Sequence, residues 1–252
     1  MPGERQRVDV ISKRLTTRSE ENKLGYYQPY RFQKTFHESG RDANQRLLMA
    51  ANRVGKSFVG AMEMAIHLTG NYPSWWRGKR FKKPIKAWVC GASNETTRDI
   101  CQKELFGQPD NPRDRGKGSI PKDLIGETTR KPGVPNAHSS VLVKHSSGGW
   151  SRVAFKAYEM GAEKFMGESI DLVWLDEEPP QDIYSQCITR TLDRRGQVYL
   201  TFTPENGMTE VVQNFTNELK PAQALITAGW EDAEHLTDDM KEQILAALPP
   251  HE

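Results

Sequence analysis

The sequence predicts an α/β fold with a mostly parallel central sheet flanked by helices. Three observations carry this prediction. Short apolar runs alternate with stretches of helical spacing along much of the chain. Three of those runs end in polar, chemistry-bearing residues: "LLMAANRVGKS", "LVWLDEEPP" and "VYLTFTPENG". Alternating strands and helices pack best as a parallel sheet covered on both faces. Ligands of such sheets bind beyond the carboxyl ends of the strands, so the three endings should meet at one rim.

The composition narrows the class. The chain has 252 residues, 36% hydrophobic and 27% charged, which suits a soluble globular protein with polar loops and excludes a disordered chain. A net charge of +2 is too small for a nucleic-acid coat protein but leaves room for local basic patches. Cys90, Cys101 and Cys187 are widely spaced, which argues against a disulfide framework or a zinc site. A reducing compartment is the simplest setting. The N-terminus lacks the apolar core of a secretory signal, and no apolar run approaches the ~18 residues of a membrane span.

The elements follow in order. Residues 1–24 are charged and read as an arm or a surface helix. Phe58, Met62, Ala65 and Ile66 share one helical face after the Gly-Lys-Ser, so that motif lies between a strand and a helix. The run Trp75 to Lys83 is basic and aromatic. It reads either as a DNA contact or, more simply, as a solvated loop whose Trp rings tuck inward. "KAWVCGAS" is a strand, and "NETTRDICQKELF" a helix capped by Ser93 or Asn94. Residues 107–139 read as a long loop. A hairpin turns around Ser146–Gly149. "AQALITAGW" is a last strand, and the tail is helical from N-cap Thr237 to Pro249.

The chemistry concentrates in the three endings. Gly55, Lys56 and Ser57 match the close of a phosphate-binding loop, with Ala50 where that pattern has its first Gly and Arg53 inside the loop. In such a loop the backbone of Asn52, Arg53, Val54, Gly55 and the following helix start, through Phe58, cradles phosphate. Lys56 reaches the terminal phosphates of ATP, and Ser57 binds Mg²⁺. A chance surface Gly-Lys-Ser would show the same letters. Asp176, delivered by a buried strand, would meet the metal directly or through water, and Glu177 would polarise the attacking water. Thr201 and Thr203 alternate on a strand and point the same way, placed to sense the terminal phosphate. An ordinary β-branched strand end would look similar.

These clusters, in this order, resemble the large terminase subunit of tailed bacteriophages, the ATPase that packages DNA. The likeness lies in "AANRVGKS", "YEMGAEKFMGESIDLVWLDEEPP", "LTFTPENG" and "TAGWEDAEHLTDDMKEQILAALPPHE". It implies a P-loop NTPase of the type whose catalytic Glu follows the metal-site Asp. It also implies a core over 25–207 and a small lid or linker subdomain over 208–252. In that family the loop often lacks its first Gly and carries an Arg. By resemblance, Lys56 and Ser57 hold phosphate and Mg²⁺, Asp176 is the metal-site acid, Glu177 the catalytic Glu, and Thr201 and Thr203 the coupling motif.

The family's adenine-contacting Gln maps to Gln33, with Tyr30 or Phe32 as stacking partners. The transition-state Arg is Arg53 within the subunit or one donated by a neighbour, with Arg152 ahead of Arg98 and Arg130; Lys164 and Met166 stand where some relatives carry Arg. Implied partners are double-stranded DNA, the portal and procapsid, the small terminase subunit, and copies of the chain in a pentameric ring, with a monomer in isolation. The implied setting is the host cytoplasm, without a membrane. The family's nuclease domain is expected to be absent from this chain. Two rival readings share the site: a helicase-like nucleic-acid-stimulated ATPase, and a degenerate, non-hydrolysing docking module.

Overall fold

The computed structural model describes residues 19–204 and 207–247. The expected arm over 1–24 therefore lies mostly outside the described residues, as does Pro249. In chain order the described elements are α1 (Arg31–Ser39), β1 (Gln45–Ala50), α2 (Lys56–Thr69), β2 (Lys86–Gly91) and a helix α3 over 94–106. There follow β3 (Ile125–Arg130), β4 (His138–Lys144), β5 (Trp150–Ala157), β6 (Leu172–Asp176) and α4 (Gln181–Leu192). The chain closes with β7 (Gln197–Phe202), α5 (Glu210–Thr216), β8 (Gln223–Ala228) and α6 (Asp238–Ala247).

The strands form one sheet in the order β3-β4-β5-β2-β6-β7-β1-β8. From β5 to β8 all neighbours are parallel, while β3 and β4 add an antiparallel edge. The register levels the strand ends that matter. Asp176 of β6 lies opposite Thr201 of β7, and Thr201 lies opposite Leu48 of β1.

The sheet is buried on both faces, so its central strands are apolar throughout rather than alternating. Successive residues of β6 serve different cores. Leu172 and Trp174 join α1 and α2 through Phe36, Met62 and Tyr199. Val173 and Leu175 join α4 and α5 through Ile183, Cys187 and Phe215. Trp174 and Tyr199 stack at 6.2 Å beneath α2.

One polar cluster is sealed inside this core. Glu63 of α2 accepts from Arg46 Nη2 of β1 at 2.6 Å and lies 2.6 Å from His37 Nδ1 of α1 and 3.1 Å from His67 Nε2. Burial alone would push the Glu63 carboxyl up. Arg46, His37 and His67 together outweigh that and hold it well below the usual carboxylate range. The cluster staples α1, β1 and α2 together beneath the phosphate loop.

Several expectations are refined. Residues 107–139 are not one loop, because β-branched Thr128 and Thr129 lie in β3, paired to β4. Helix α3 begins at the Ser93 cap, but residues Thr97–Gln102 take π-helical geometry. Trp76 is buried and donates its indole N–H to Lys79 O, and Trp75 packs on Tyr27, so these rings offer no exposed stacking platform. Thr237 caps α6 through Met240 N. The segment after residue 208 is not separate from the sheet: β8 pairs along the whole of β1. Among the described residues no helix is long and apolar enough to cross a membrane.

Glu63→Ala would leave Arg46 as an uncompensated charge in the core. The expected loss is about 3–5 kcal/mol of unfolding free energy, measured by urea denaturation, with a smaller loss for Glu63→Gln.

Candidate active site

The loop after β1 folds back on itself through two left-handed residues, Arg53 (φ 67°) and Gly55 (φ 91°), before α2 starts at Lys56. Gly55 needs its glycine: it is the α2 N-cap, in a conformation that L side chains rarely adopt. Ala50 does not need one. It is the last residue of β1, paired with Ala228, and its methyl packs in the core. The loop's missing first Gly is thus an ordinary strand position. Val54 is buried beneath the loop, and Phe58 packs edge-on to Tyr27.

The three strand ends meet as expected. Lys56 Nζ donates to Thr203 Oγ1 at 2.6 Å, to Ala51 O at 3.1 Å and to Asn52 Oδ1 at 3.3 Å. Thr203 also lies 2.9 Å from Ala50 O and 3.0 Å from Asn52 Oδ1. Ser57 Oγ is 3.1 Å from Asp176 Oδ1, and Thr201 Oγ1 donates to the same oxygen at 2.7 Å. Trp174 Nε1 in turn donates to Thr201 Oγ1 at 2.7 Å.

Asp176 is 2% exposed. Burial pushes its carboxyl up to about 7; the Thr201 and Ser57 hydroxyls and Lys56 pull it down, while Glu177 pushes it further up. Glu177 itself is exposed and left-handed (φ 61°), its N–H bonded to Thr201 O at 3.1 Å. The chain therefore turns outward directly after β6. Tyr158 OH sits 2.9 Å from Asp176 O and 3.1 Å from Glu177 O and pins that turn. One residue on, Glu178 accepts from Thr209, the N-cap of α5.

Other predicted residues are placed as follows. Gln33 is buried in the first turn of α1, with its amide nitrogen beside Gly55. Phe32 cannot stack on a ligand, because its ring belongs to the core; Tyr30 remains at the surface, stacked on His235 at 5.8 Å. Arg53 is exposed at the crest of the loop. Arg152 is not brought to these residues. It lies opposite Lys86, the first residue of β2, and so near the amino rim of the sheet. Arg98 bonds Asp99 and Pro135 O, and Arg130 is exposed at the end of β3. Lys164 and Met166 are exposed on the segment before β6.

Sequence reasoning missed four contributors. Cys101 of α3 places its thiol 3.8 Å from Asp176 Oδ2. Tyr158 holds the turn after β6, as described. Trp230 Nε1 donates to Asn52 O at 3.0 Å, and His235 Nε2 lies 3.0 Å from Arg53 O. The only hint in the sequence was a Trp and a His within "TAGWEDAEHL", which carried no role there.

Two hydroxyls and a carboxylate on neighbouring elements, behind a lysine at a helix N-terminus, are the parts of a nucleoside-triphosphate site. A family model described as "Terminase large subunit, T4likevirus-type, N-terminal" matches residues 47–252. The chain belongs to the terminase large subunit family. It is 41% identical over 244 residues to the terminase large subunit of Salmonella phage P22, covering 90% of this chain and 49% of that protein. To the corresponding subunit of Enterobacteria phage LP7 it is 25% identical over 246 residues, covering 90% and 50%. The chain thus spans about half the length of these curated relatives.

The fold is that of large terminase ATPase domains. The Thermus phage P74-26 domain superposes with a TM-score of 0.62 at 15% identity, covering 91% of this chain and 92% of that one. The large terminase of a second thermophilic bacteriophage, solved in complex with ADP, superposes at 0.63 and 10% identity, covering 88% and 50%.

The donor set suits Mg²⁺. Ser57 and Asp176 present hard oxygens within one hydrogen bond of each other, and Asp176 is a buried carboxylate that a cation would favour in its charged form. The sign of its pH effect follows from the raised value. Folding is favoured while Asp176 keeps its proton, and that contribution is lost as pH rises through about 7. Without divalent ions, Asp176→Asn should therefore melt above the wild type at pH 8, with the gain shrinking at pH 5. Each pH unit is worth at most about 1.4 kcal/mol. Thermal unfolding at both pH values checks it.

Proposed function

We propose that the chain is the ATP-hydrolysing motor domain of a large terminase subunit, which drives double-stranded DNA into a procapsid. The observation that carries this reading is the meeting of two hydrogen-bonded groups, Lys56 with Thr203 and Ser57 and Thr201 with Asp176, at the carboxyl ends of β1, β6 and β7. Lys56 and the amides of Asn52 to Phe58 would hold the phosphates of ATP. Ser57 and Asp176 would hold Mg²⁺, which neutralises phosphate charge when bound. Glu177, turned out of the core beside that pair, would accept a proton from the attacking water. Arg53, at the loop crest, would meet charge developing on the terminal phosphate.

Arg152 stands at the other rim, so it would serve only a neighbour's site, as a ring requires. Release of phosphate would free Lys56 to return to Thr203. That exchange would move the segment after β7, with α5 tied to Glu178 through Thr209. Residues from 208 would act as the lid, anchored by β8 and reaching the loop through Trp230 and His235. In the host cytoplasm the domain would work as a pentameric ring, with the portal and the small terminase subunit as partners, and as a monomer in isolation.

Lys56→Ala and Glu177→Ala should each lower Mg²⁺-dependent ATP turnover at least ~100-fold, with Glu177→Ala still binding ATP in a fluorescence titration. Undiminished turnover in either variant sinks the assignment. A second measurement follows turnover against protein concentration. Activity that rises on assembly and is lost in Arg152→Ala identifies a donated Arg; a flat profile assigns the role to Arg53.

A further inference from the structure

Glu177 holds a backbone conformation that a residue with a side chain rarely keeps. Its φ of 61° lies in the left-handed region, although it is neither Gly nor Asn. Such a residue persists only where its surroundings over-determine it. On one side the Glu177 N–H donates to Thr201 O at 3.1 Å. On the other, the Tyr158 hydroxyl lies 2.9 Å from Asp176 O and 3.1 Å from Glu177 O. Carbonyl oxygens only accept, so the phenol is the donor, with one hydrogen to serve the pair.

Two successive carbonyls meet one hydroxyl only in a particular backbone state. Along an extended strand they point to opposite neighbours. Here both lie within 3.1 Å of a single oxygen, so the left-handed turn has brought the Glu177 carbonyl round to the side of Asp176. A Glu177 relaxed into the extended region would turn that carbonyl away and give up the contact. The same change would re-aim its side chain, because the backbone sets that direction. The fold leaves a place for the hydroxyl. The β2–β6 ladder ends at Cys90 and Leu175, so Asp176 and Glu177 run past it. Tyr158 follows β5 directly, is buried, and puts its oxygen 3.5 Å from Cys90 O, where the ladder stops.

We propose that Tyr158 is a positioning residue for hydrolysis: its hydroxyl holds Glu177 in the left-handed state that aims the carboxylate at the attacking water. This rests on the reading of Glu177 as the group that accepts the water's proton. Tyr158 acts only through the backbone of Glu177. Phosphate binding at Lys56 and Ser57 does not depend on it.

The test is a cycle of Tyr158→Phe, which removes only the hydroxyl, Glu177→Ala and the double variant. Single-turnover hydrolysis and ATP affinity, with Mg²⁺, are measured for each. In the wild-type background Tyr158→Phe should slow hydrolysis at least about tenfold, since a small misplacement near the chemistry is that costly. ATP affinity should stay within about twofold, the loss falling on the chemical step alone. In the Glu177→Ala background the same change should alter the residual rate less than about twofold, because the group it positions is gone. An equal slowing in both backgrounds, an equal loss of ATP affinity, or hydrolysis at the wild-type rate in Tyr158→Phe overturns the proposal. A second measurement avoids the residual rate. Amide exchange at Glu177 and Glu178, followed by mass spectrometry, should speed up about fivefold in Tyr158→Phe, the loss of one neutral hydrogen bond. Unchanged exchange there overturns the proposal. A third needs no Tyr158 variant: Glu177→Gly should unfold at higher urea than Glu177→Ala, because Gly takes a positive φ freely. The reverse order denies the strained state on which the proposal stands. Full turnover in Glu177→Ala removes the reading of Glu177 and this one with it, whereas every other outcome leaves that reading intact.

Discussion

Burial of the Asp176 carboxylate is the constraint from which the rest of the rim follows. A charged or half-charged oxygen pair inside an apolar sheet must be hydrogen-bonded or neutralised. Here Ser57 comes from α2 and Thr201 from β7, so one carboxylate binds three segments that are far apart in the chain. Trp174 holds Thr201 in turn, and Gly60 of α2 leaves room for it: a Cβ there would come within 2.5 Å of the Trp174 ring. The close approach of α2 to β6 is what brings Ser57 to Asp176. A small residue, an indole and a threonine thus set a distance of 3.1 Å at the site.

A second buried group stabilises the other side of the loop. Arg46 neutralises Glu63, and His37 and His67 lie within hydrogen-bond distance of it, where water is excluded. Such clusters contribute little net stability over apolar packing, but removing one partner leaves an uncompensated buried charge. Their effect here is geometric. The chain of contacts from Glu63 through His37 and Tyr27 ends at Gln33, so the core fixes the direction of an amide beside the phosphate loop.

Much of the site was legible as letters. Gly55-Lys56-Ser57 and Asp176-Glu177 could be recognised because each lies at a strand end, where a short run of backbone positions the group locally. Thr201 and Thr203 were legible as a pair sharing one face. Their separate partners, Asp176 and Lys56, were not, because strand order and register come from pairing across the sheet. Ala50 was legible as a small residue at a strand end; its register with Ala228 came from the sheet. Phe32 misled, since an aromatic near a functional Gln reads the same whether it stacks on a ligand or fills the core.

Local pattern and motif spacing therefore determined the fold class, the turn before α2 and the strand ends that meet beside it. These depend on period, turn chemistry and residue type, all properties of neighbours in the chain. Tertiary structure decided what those properties cannot encode: Cys101 beside Asp176, Trp230 and His235 on the loop carbonyls, the placing of Arg152 at the far rim, and the orientation of Gln33. Each joins residues far apart in sequence, or depends on which of two faces a side chain takes. Such contacts arise only once the sheet closes its register and the core excludes water.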